Sequence, residues 1–283
     1  MMQNFFRTGL LVLILTGFLV GVSYVLDFDP LFALLLSGVL NFLMYFFSDK
    51  IVLTMTRAKE VSDADAPRLH RIVESLAARA GIPKPKIYIA QNDVPNAFAT
   101  GRSPSHSSVC VHSGLLKMLN DEEIEGVLSH ELSHVRNYDT LTMVFAATLA
   151  GAITMMARMF YYSSLGYGSR DDRRGNGFGG LLMLIFAPIA ASIIQLAISR
   201  TREYAADESG ALLSGKPLAL ASALEKISSY ASWRPMNPST SNPALAPLYI
   251  INPFKGGSLT ELFMTHPATP KRIARLRDLA SRI

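Results

Sequence analysis

The chain has 283 residues, of which 49% are hydrophobic and 17% are charged, and its net charge is +5 at pH 7. The charged share is below the roughly 25% of soluble globular chains, and the deficit is concentrated in four apolar stretches. The Lys and Arg residues form no stripe with interleaved aromatics and no nucleic-acid motif is present, which argues against nucleic acid as a partner. Their excess indicates segments beside the cytoplasmic face of a membrane, with the lipid bilayer as a partner.

The first two apolar stretches predict an N-terminal transmembrane hairpin within residues 1–50. Residues 8–26 are long enough to cross a bilayer about 30 Å thick as a helix. Arg7 precedes an apolar core, as in a signal peptide, but no small-residue cleavage site follows, so we predict a retained anchor. Residues 31–47 are near the lower length limit for a span, and the short DFDP connection turns the pair into a hairpin.

The charges around this hairpin predict its orientation. The tip carries Asp27 and Asp29 and no basic residue, whereas Arg7 precedes the hairpin and Lys50 and Arg57 follow it. By the positive-inside rule, both hairpin ends lie in the cytoplasm. We therefore expect a multi-pass protein of the plasma (inner) membrane whose soluble parts face the cytoplasm.

Residues 51–140 read as soluble protein. VSDADAPRLHRIVESLAARAG has helical spacing and ends at Gly81, and NDEEIEGVLSHELSHV predicts a second helix capped by Asn120 or Asp121. KPKIYIA and HSSVCVHS alternate like short strands, and PNAFATG between them is a plausible edge strand. The fold class predicted is mainly α with a small antiparallel β-sheet, plus about four transmembrane helices.

Cys110 is the single cysteine, so no intrachain disulfide can form. Its neighbours Val109 and Val111 predict a buried thiol on a strand. Nothing around it marks it as an activated nucleophile.

The third and fourth apolar stretches, residues 141–160 and 181–199, predict a second membrane hairpin. Each is imperfect, since the first contains Arg158 and the second Pro188 and Gln195. A deeply packed helical pair that only dips into the bilayer is the alternative. Residues 200–283 are soluble again, with helices over RTREYAADESGALLSG, LALASALEKISSYAS and KRIARLRDLASRI and a loop over residues 233–257.

The segment HELSH carries the chemistry. His130 and His134 are four residues apart on a helix, project from one face and can share a metal ion. Glu131 follows the first histidine and can reach a water at that metal as its general base. The alternative is a surface helix with unrelated histidines.

A second segment, RTREYAAD, supplies what a catalytic zinc site still needs, a third protein ligand. Glu203 and Asp207 are four residues apart on a predicted helix. Glu203 can bind the metal while Asp207 accepts the outer N–H of a ligand histidine. The alternative is a solvated helix face on which Glu203 pairs with Arg202.

HELSH followed by REYAAD resembles the gluzincin metallopeptidases and, among them, the HtpX-like and CAAX-prenyl-endopeptidase group. PNAFATG, HELSHVRNYD, the paired hydrophobic segments and HPATPKRIARL stand in the expected order along the chain. The total length and the early hairpin favour the HtpX-like members. The resemblance implies an α+β zincin-like catalytic domain divided between residues 51–140 and 200–283.

The resemblance also implies the site residues. One Zn²⁺ per chain is expected on His130, His134 and Glu203, with Glu131 as the base and Asp207 in support. Two further roles are implied for residues elsewhere in the chain. His266 in THPATP is expected to stabilise the oxyanion, although a capping or core histidine is nearly as plausible there, and an edge strand is expected to pair with an extended peptide through Asn96, Ala97, Phe98 and Ala99.

The spacing between the motifs and the apolar stretches predicts where the metal lies. His134 is seven residues before residue 141, and Glu203 is four residues after residue 199, which puts the metal near the cytoplasmic membrane surface. The expected function is a membrane-bound zinc endopeptidase of protein quality control and stress response that cleaves misfolded or damaged membrane proteins, including their unfolded segments. An intramembrane-type metalloprotease and a catalytically inactive membrane chaperone or scaffold are the alternatives.

Overall fold

The computed structural model describes residues 6, 8–14, 16–17, 20, 29–144, 146, 200–236, 245, 248–251 and 267–283. Nearly all of the second predicted membrane hairpin, the tip of the first, and most of the predicted loop at residues 233–257 lie outside these residues. The elements used below are α1 (Pro30–Met55), β1 (Lys59–Glu60), α2 (Pro67–Ala80), β2 (Lys86–Ala90), β3 (Ala97–Ser103), β4 (His106–His112), α3 (Ser113–Met118), α4 (Asp121–Arg136), α5 (Arg200–Ser214), α6 (Pro217–Trp233) and α7 (Thr269–Ala280).

The four strands form one sheet in the order β1-β2-β4-β3. β1 and β2 are antiparallel, β2 and β4 are parallel, and β3 and β4 are antiparallel. The prediction of an antiparallel sheet is therefore wrong, and the sheet is mixed. Strand β4 lies between β2 and β3 in the sheet. After β2 the chain skips the neighbouring position and forms β3 one place further out. It then reverses and fills the skipped position as β4, so β4 runs in the same direction as β2.

The edge position predicted for PNAFATG is confirmed, because β3 is the outermost strand on its side of the sheet. The buried strand thiol is also confirmed. Cys110 lies on β4 with no exposed surface, and burial raises the pKa of its thiol to about 12, even though contact with the Ala90 backbone lowers it.

The ends of helices α2 and α4 coincide with residues that favour helix termini. Pro67 occupies the first turn of α2, and Gly81 ends that helix in the left-handed conformation with φ +68°, which glycine adopts without steric cost. Asn120 caps α4. Its side chain accepts from the Glu123 backbone N–H at 2.9 Å, and the Glu123 carboxylate accepts from the Asn120 N–H at 3.0 Å, which forms a capping box.

Helix α4 is the central helix of the described core. It packs against β3 on one side and against α2, α5 and α6 on the others. Leu128, Leu132 and Val135 are fully buried along it, and each such side chain contributes roughly 1.5–3 kcal/mol of hydrophobic stabilisation. This packing fixes the helix face that carries HELSH.

A close crossing brings α5 against α4. A Cβ added to Gly210 of α5 would lie 2.7 Å from the His130 backbone nitrogen and 2.8 Å from the His130 Cα. Only a residue without a side chain allows this approach. The crossing places the first two turns of α5, with Glu203 and Asp207, beside the two histidines.

Helix α1 is apolar and largely exposed. Among the residues that the structure describes, no single helix meets the length and hydropathy expected of a membrane span. Two segments of α1, Leu34–Phe47 and Asp49–Met55, satisfy these length and hydropathy criteria only when taken together, and a bend of 71° separates them. The second segment turns inward, where Val52 and Leu53 are buried with Phe98 of β3. The four predicted membrane spans stay a prediction.

Candidate metal centre

Three buried side chains converge between α4 and α5. His130 Nε2 lies 3.7 Å from one Glu203 carboxylate oxygen, and His134 Nε2 lies 3.5 Å from the other. One donor atom from each of the three residues falls within 4.8 Å of the others. Each residue is 2–3% exposed. The structure thus brings together all three residues that the sequence predicts as ligands.

These separations fit a metal ion better than direct hydrogen bonds. At 3.5–3.7 Å the nitrogens and oxygens are too far apart to bond each other. Ligand atoms about 2.0–2.1 Å from a tetrahedral zinc are about 3.3–3.4 Å from one another. The two nitrogen–oxygen separations, each to a different Glu203 oxygen, are a few tenths of an ångström longer. Two imidazole nitrogens and one carboxylate are also a donor set of catalytic zinc sites, with a fourth position left open.

The outer nitrogen of each histidine lies against an aspartate. His130 Nδ1 is 3.0 Å from an Asp207 oxygen, in ion-pair range although not aligned for a regular hydrogen bond. His134 Nδ1 is 3.1 Å from an Asp139 oxygen and is hydrogen-bonded to it. Such carboxylates fix ring orientation and direct the inner nitrogen toward a metal.

Asp207 lies where the sequence predicts it, whereas the sequence does not predict this role for Asp139. α4 ends at Arg136, and Tyr138 has φ +60°, a left-handed turn that folds Asp139 back under His134. Arg202 donates to the other Asp139 oxygen at 3.1 Å. A non-glycine residue with positive φ has no signal in the sequence of one chain, so this contact could not be foreseen.

Arg272 of α7 is the second residue that sequence reasoning missed. It is 1% exposed, and its Nε and Nη2 atoms each donate to Asp207 at 2.7 Å. Its Nη1 donates to the Ile250 carbonyl at 2.9 Å and lies 3.8 Å from Glu203. Arg272 shares a helix face with buried Leu276, so an arginine at a core position of an amphipathic helix was the available signal.

The pKa of Asp207 follows from this ion pair. Burial raises the pKa of its carboxyl, but the charge and the two hydrogen bonds of Arg272 outweigh burial and hold it below its ordinary value. Proximity to His130 acts in the same direction. The aspartate beside the ligand histidine is therefore ionised.

Glu131 lies next to the ligands with its carboxylate buried. Its Oε2 accepts a hydrogen bond from the Ala99 backbone N–H at 3.0 Å. Burial raises the pKa of Glu131, and the Glu203 charge acts in the same direction. His130, His134 and the Ala99 N–H lower it, but the net shift is upward, as suits a proton acceptor that later donates.

The pKa of His134 is also raised in the metal-free site. Burial lowers the pKa of its imidazole, but the Asp139 hydrogen bond and the charges of Glu203 and Glu131 raise it to about 9. This cluster of carboxylates thus attracts positive charge to the site. A metal cation satisfies that demand in place of a proton.

The four residues predicted to bind substrate lie at the start of β3 and just before it, in different surroundings, and their contact with substrate stays a prediction. Phe98 and Ala99 line the cavity at the ligands, whereas Ala97 faces the hydrophobic core. The Asn96 amide donates to the Leu248 carbonyl and accepts from the Ile250 N–H, both at 3.0 Å. Asn96 therefore holds another segment of the chain against the site.

That segment, residues 248–251, forms part of the wall of the site. Leu248, Tyr249 and Ile250 line the cavity together with Phe98 and Ala99 of β3. The remaining cavity is about 10 Å³, roughly the room of one water molecule. His266, the expected oxyanion partner, lies outside the described residues, so its role stays a prediction.

Comparison with known proteins gives consistent matches over the whole chain. Residues 63–280 match peptidase family M48. A protein named Protease HtpX homolog from Pyrococcus furiosus is 53% identical over 278 residues, which cover 97% of this chain and 95% of that protein. A protein of the same name from Acidiphilium cryptum is 46% identical over 284 residues, 99% of this chain and 98% of that one.

A solved structure shares the fold. The crystal structure of S. mikatae Ste24p superposes with a TM-score of 0.51 at 20% identity and covers 94% of this chain. This chain spans 62% of the length of Ste24p. At that identity the likeness extends to the fold alone.

Proposed function

This chain belongs to peptidase family M48, and from that premise we propose that it is a membrane-bound, zinc-dependent endopeptidase that cleaves misfolded or damaged membrane proteins at the cytoplasmic surface of the plasma (inner) membrane. The observation that carries the proposal is the buried cluster of His130, His134 and Glu203 with the Glu131 carboxylate beside it. Peptide hydrolysis by a metallopeptidase needs those two parts in that arrangement.

One zinc ion per chain is the proposed cofactor, held by His130, His134 and Glu203. The chemistry that zinc supplies when bound is Lewis-acid polarisation of a carbonyl and a lowered pKa for water. The protein contributes the orientation of the ligands. Asp207 and Asp139 lie against the outer histidine nitrogens, so both rings present Nε2 inward.

Glu131 is the proposed proton carrier. Its Oε2 is bonded to the Ala99 N–H, so we assign proton transfer to Oε1. The carboxylate accepts one proton as water adds to the peptide carbonyl carbon, and it donates that proton to the amine nitrogen as the C–N bond breaks.

The proposed substrate lies extended beside β3. The outer backbone groups of an edge strand can pair with a peptide of any sequence, which suits unfolded polypeptide segments as substrates. In this structure the Ala99 N–H is bonded to Glu131 and the Gly101 carbonyl to Thr140, so the other outer groups of β3 are the ones open to a peptide. The site cavity is only about 10 Å³ in this structure, and we propose that residues 248–251 move aside to admit a peptide. His266 is retained as the proposed oxyanion donor.

The proposed membrane attachment draws on α1. Its side chains are exposed along the apolar Leu34–Phe47 segment, with Leu35 at 63%, Val39 at 55% and Phe42 at 59%. An exposed apolar face of this extent is costly in water and stable in lipid. The charges on either side of residues 8–47 favour cytoplasmic hairpin ends.

A zinc-dependent protease assay tests the proposal. The full chain is purified in detergent with chelator, and zinc is then added in the presence of casein or an unfolded membrane protein. Cleavage should appear with zinc, and the Glu131→Gln variant, prepared identically, should bind zinc without cleaving. Equal cleavage by both preparations would identify a contaminating protease and remove the evidence for this activity.

A further inference from the structure

A second cavity lies away from the candidate metal site, between the bend of α1 and the turn that joins β3 to β4. Its volume is about 660 Å³, and it shares no lining residue with the cavity at the metal ligands. We call it the α1–hairpin cleft, after α1 and the β3–β4 hairpin. Its walls include Phe42, Phe46, Lys50, Lys86, Arg102 and His106.

The α1–hairpin cleft is rich in positive charge. Lys50, Lys84, Lys86 and Arg102 line it, against a single acidic residue, Asp49. Two of these cations already have partners. Lys84 contacts carboxylates at 2.9 and 3.3 Å, and Lys86 contacts one at 3.3 Å.

The other two cations are available to a ligand. Within the part of the chain that the structure describes, neither Lys50 nor Arg102 is paired with a carboxylate. Each lies near an aromatic ring instead, with Lys50 Nζ 5.4 Å from the Phe47 centroid and Arg102 Cζ 5.2 Å from the Phe46 centroid. A charge at such a ring keeps its capacity to bind an anion.

The cleft continues into an apolar surface. Phe42, Phe46 and Phe47 are 59%, 37% and 41% exposed, and they continue the exposed face of the Leu34–Phe47 segment. A hydrophilic anion such as free phosphate would make no favourable contact with this apolar surface. A molecule with a negative head and long hydrocarbon chains would fill both parts.

We infer that the α1–hairpin cleft binds an anionic glycerophospholipid, with its phosphate between Lys50 and Arg102 and its acyl chains along the aromatic face of α1. Basic sites at the cytoplasmic end of membrane helices are suited to such headgroups. The inference rests on the proposed membrane attachment of this chain. The bound lipid holds the β3–β4 turn, and therefore the edge strand β3, at the level of the lipid headgroups in the membrane.

Native mass spectrometry of the full chain in a neutral detergent tests the inference. The probes are dioleoylphosphatidylglycerol and, as the zwitterionic comparison, dioleoylphosphatidylcholine. The test variant is K50Q/R102Q. The control is R234Q/K271Q, which also removes one Lys and one Arg, the latter 6.0 Å from the Tyr230 ring, at exposed positions outside the cleft.

We expect wild type and control to retain phosphatidylglycerol in preference to phosphatidylcholine. The K50Q/R102Q variant should bind phosphatidylglycerol about 10- to 30-fold more weakly, because two headgroup contacts are lost. Excess inorganic phosphate should leave the lipid bound to wild type. Equal affinity in the two double variants, equal retention of both lipids, or displacement by phosphate would each overturn the inference.

Zinc content and peptidase activity measured on the same samples separate this inference from the proposed function. The lipid measurement needs neither zinc nor turnover, so it stands if the protease proposal fails. K50Q/R102Q should keep the zinc content and thermal unfolding of wild type, since both side chains lie outside the metal site. Lost lipid binding together with lost folding in K50Q/R102Q would count against a local headgroup contact.

Discussion

Arg272 and Asp207 form a buried bidentate ion pair, with two donor–acceptor distances of 2.7 Å. The same aspartate lies 3.0 Å from His130 Nδ1. Arg272 also holds the Ile250 carbonyl, which belongs to the wall of the site. One arginine near the end of the chain thus connects the orientation of a ligand histidine to the position of that wall.

The Arg272→Gln substitution should therefore affect both folding and metal. Loss of one partner leaves the Asp207 charge buried and uncompensated, so the free energy of unfolding should fall by about 3–5 kcal/mol. Zinc affinity should fall as well, because Asp207 no longer orients His130. Denaturant unfolding and zinc titration measure the two effects. Lys271→Gln, at the exposed neighbouring position, is the control and should change neither.

The third ligand is tested on α5. The Glu203→Ala variant should lose zinc affinity and activity together, because one of three protein ligands is gone. Glu208→Ala, an exposed glutamate five residues later on the same helix, is the matched control. Isothermal titration of zinc into chelator-stripped protein gives the affinities. Unchanged affinity in Glu203→Ala would contradict the ligand assignment and the gluzincin-type site with it.

A substitution at Glu131 should distinguish metal binding from catalysis. Glu131→Gln should retain zinc but lose activity by about 10²- to 10⁴-fold, since the ligands remain and the proton acceptor is absent. Zinc content by elemental analysis and turnover of a quenched peptide give the two readouts. High turnover by a fully zinc-loaded variant would take Glu131 out of that role.

The sequence predicts the local parts of the site well and the long-range parts poorly. The histidine pair, Glu131 and the Glu203–Asp207 spacing follow from helix geometry within single segments. Arg272 reaches Asp207 across 65 residues of sequence, and no periodicity predicts that contact.

The same limit explains the errors in the fold. Strand and helix positions follow from residue patterns within a few positions of each other, and these predictions largely agree with the structure. The direction of β4 relative to β2 depends on the order of strands in the sheet, which involves residues far apart in the chain. The bonds of Asn96 to residues 248–250 likewise depend on a distant segment, and its expected contact with substrate stays a prediction.

Acid should weaken the folded state through Glu123. Burial raises the pKa of its carboxyl, but Lys226, Ser222 and the Asn120 N–H outweigh burial and hold it below 4.5. A carboxyl with a lower pKa in the folded state stabilises the protein above the unfolded pKa. That stabilisation is lost as pH falls through the folded pKa.

The Glu123→Gln variant should remove this part of the pH dependence. Its free energy of unfolding near neutral pH should be lower by about 1 kcal/mol, because the capping box and the Lys226 contact are weakened. Urea unfolding between pH 3 and pH 7 compares variant with wild type, and the difference should shrink toward the acid end. A constant difference across that range would show that Glu123 does not titrate as described.

The last prediction concerns Asn96, for which two roles can be separated. Its side chain joins the Leu248 carbonyl and the Ile250 N–H, both buried. If it holds the wall, Asn96→Ala leaves those groups unsatisfied at a cost of about 1–3 kcal/mol. The Ile250 amide should then exchange with solvent faster. If Asn96 instead contacts substrate, KM should rise while exchange at Ile250 stays as in wild type.

Hydrogen exchange read by mass spectrometry over residues 248–251, with KM measured on the same protein, decides between these roles. Asn92→Ala is the matched control, because Asn92 also uses its side chain to bond a backbone N–H, that of Val94 at 3.0 Å. It should leave exchange at Ile250 unchanged. We expect faster exchange at Ile250 in Asn96→Ala alone, since only that variant loses the side chain that accepts from the Ile250 N–H. Wild-type protection in Asn96→Ala would mean that other contacts, such as Arg272 with the Ile250 carbonyl, suffice to hold it closed.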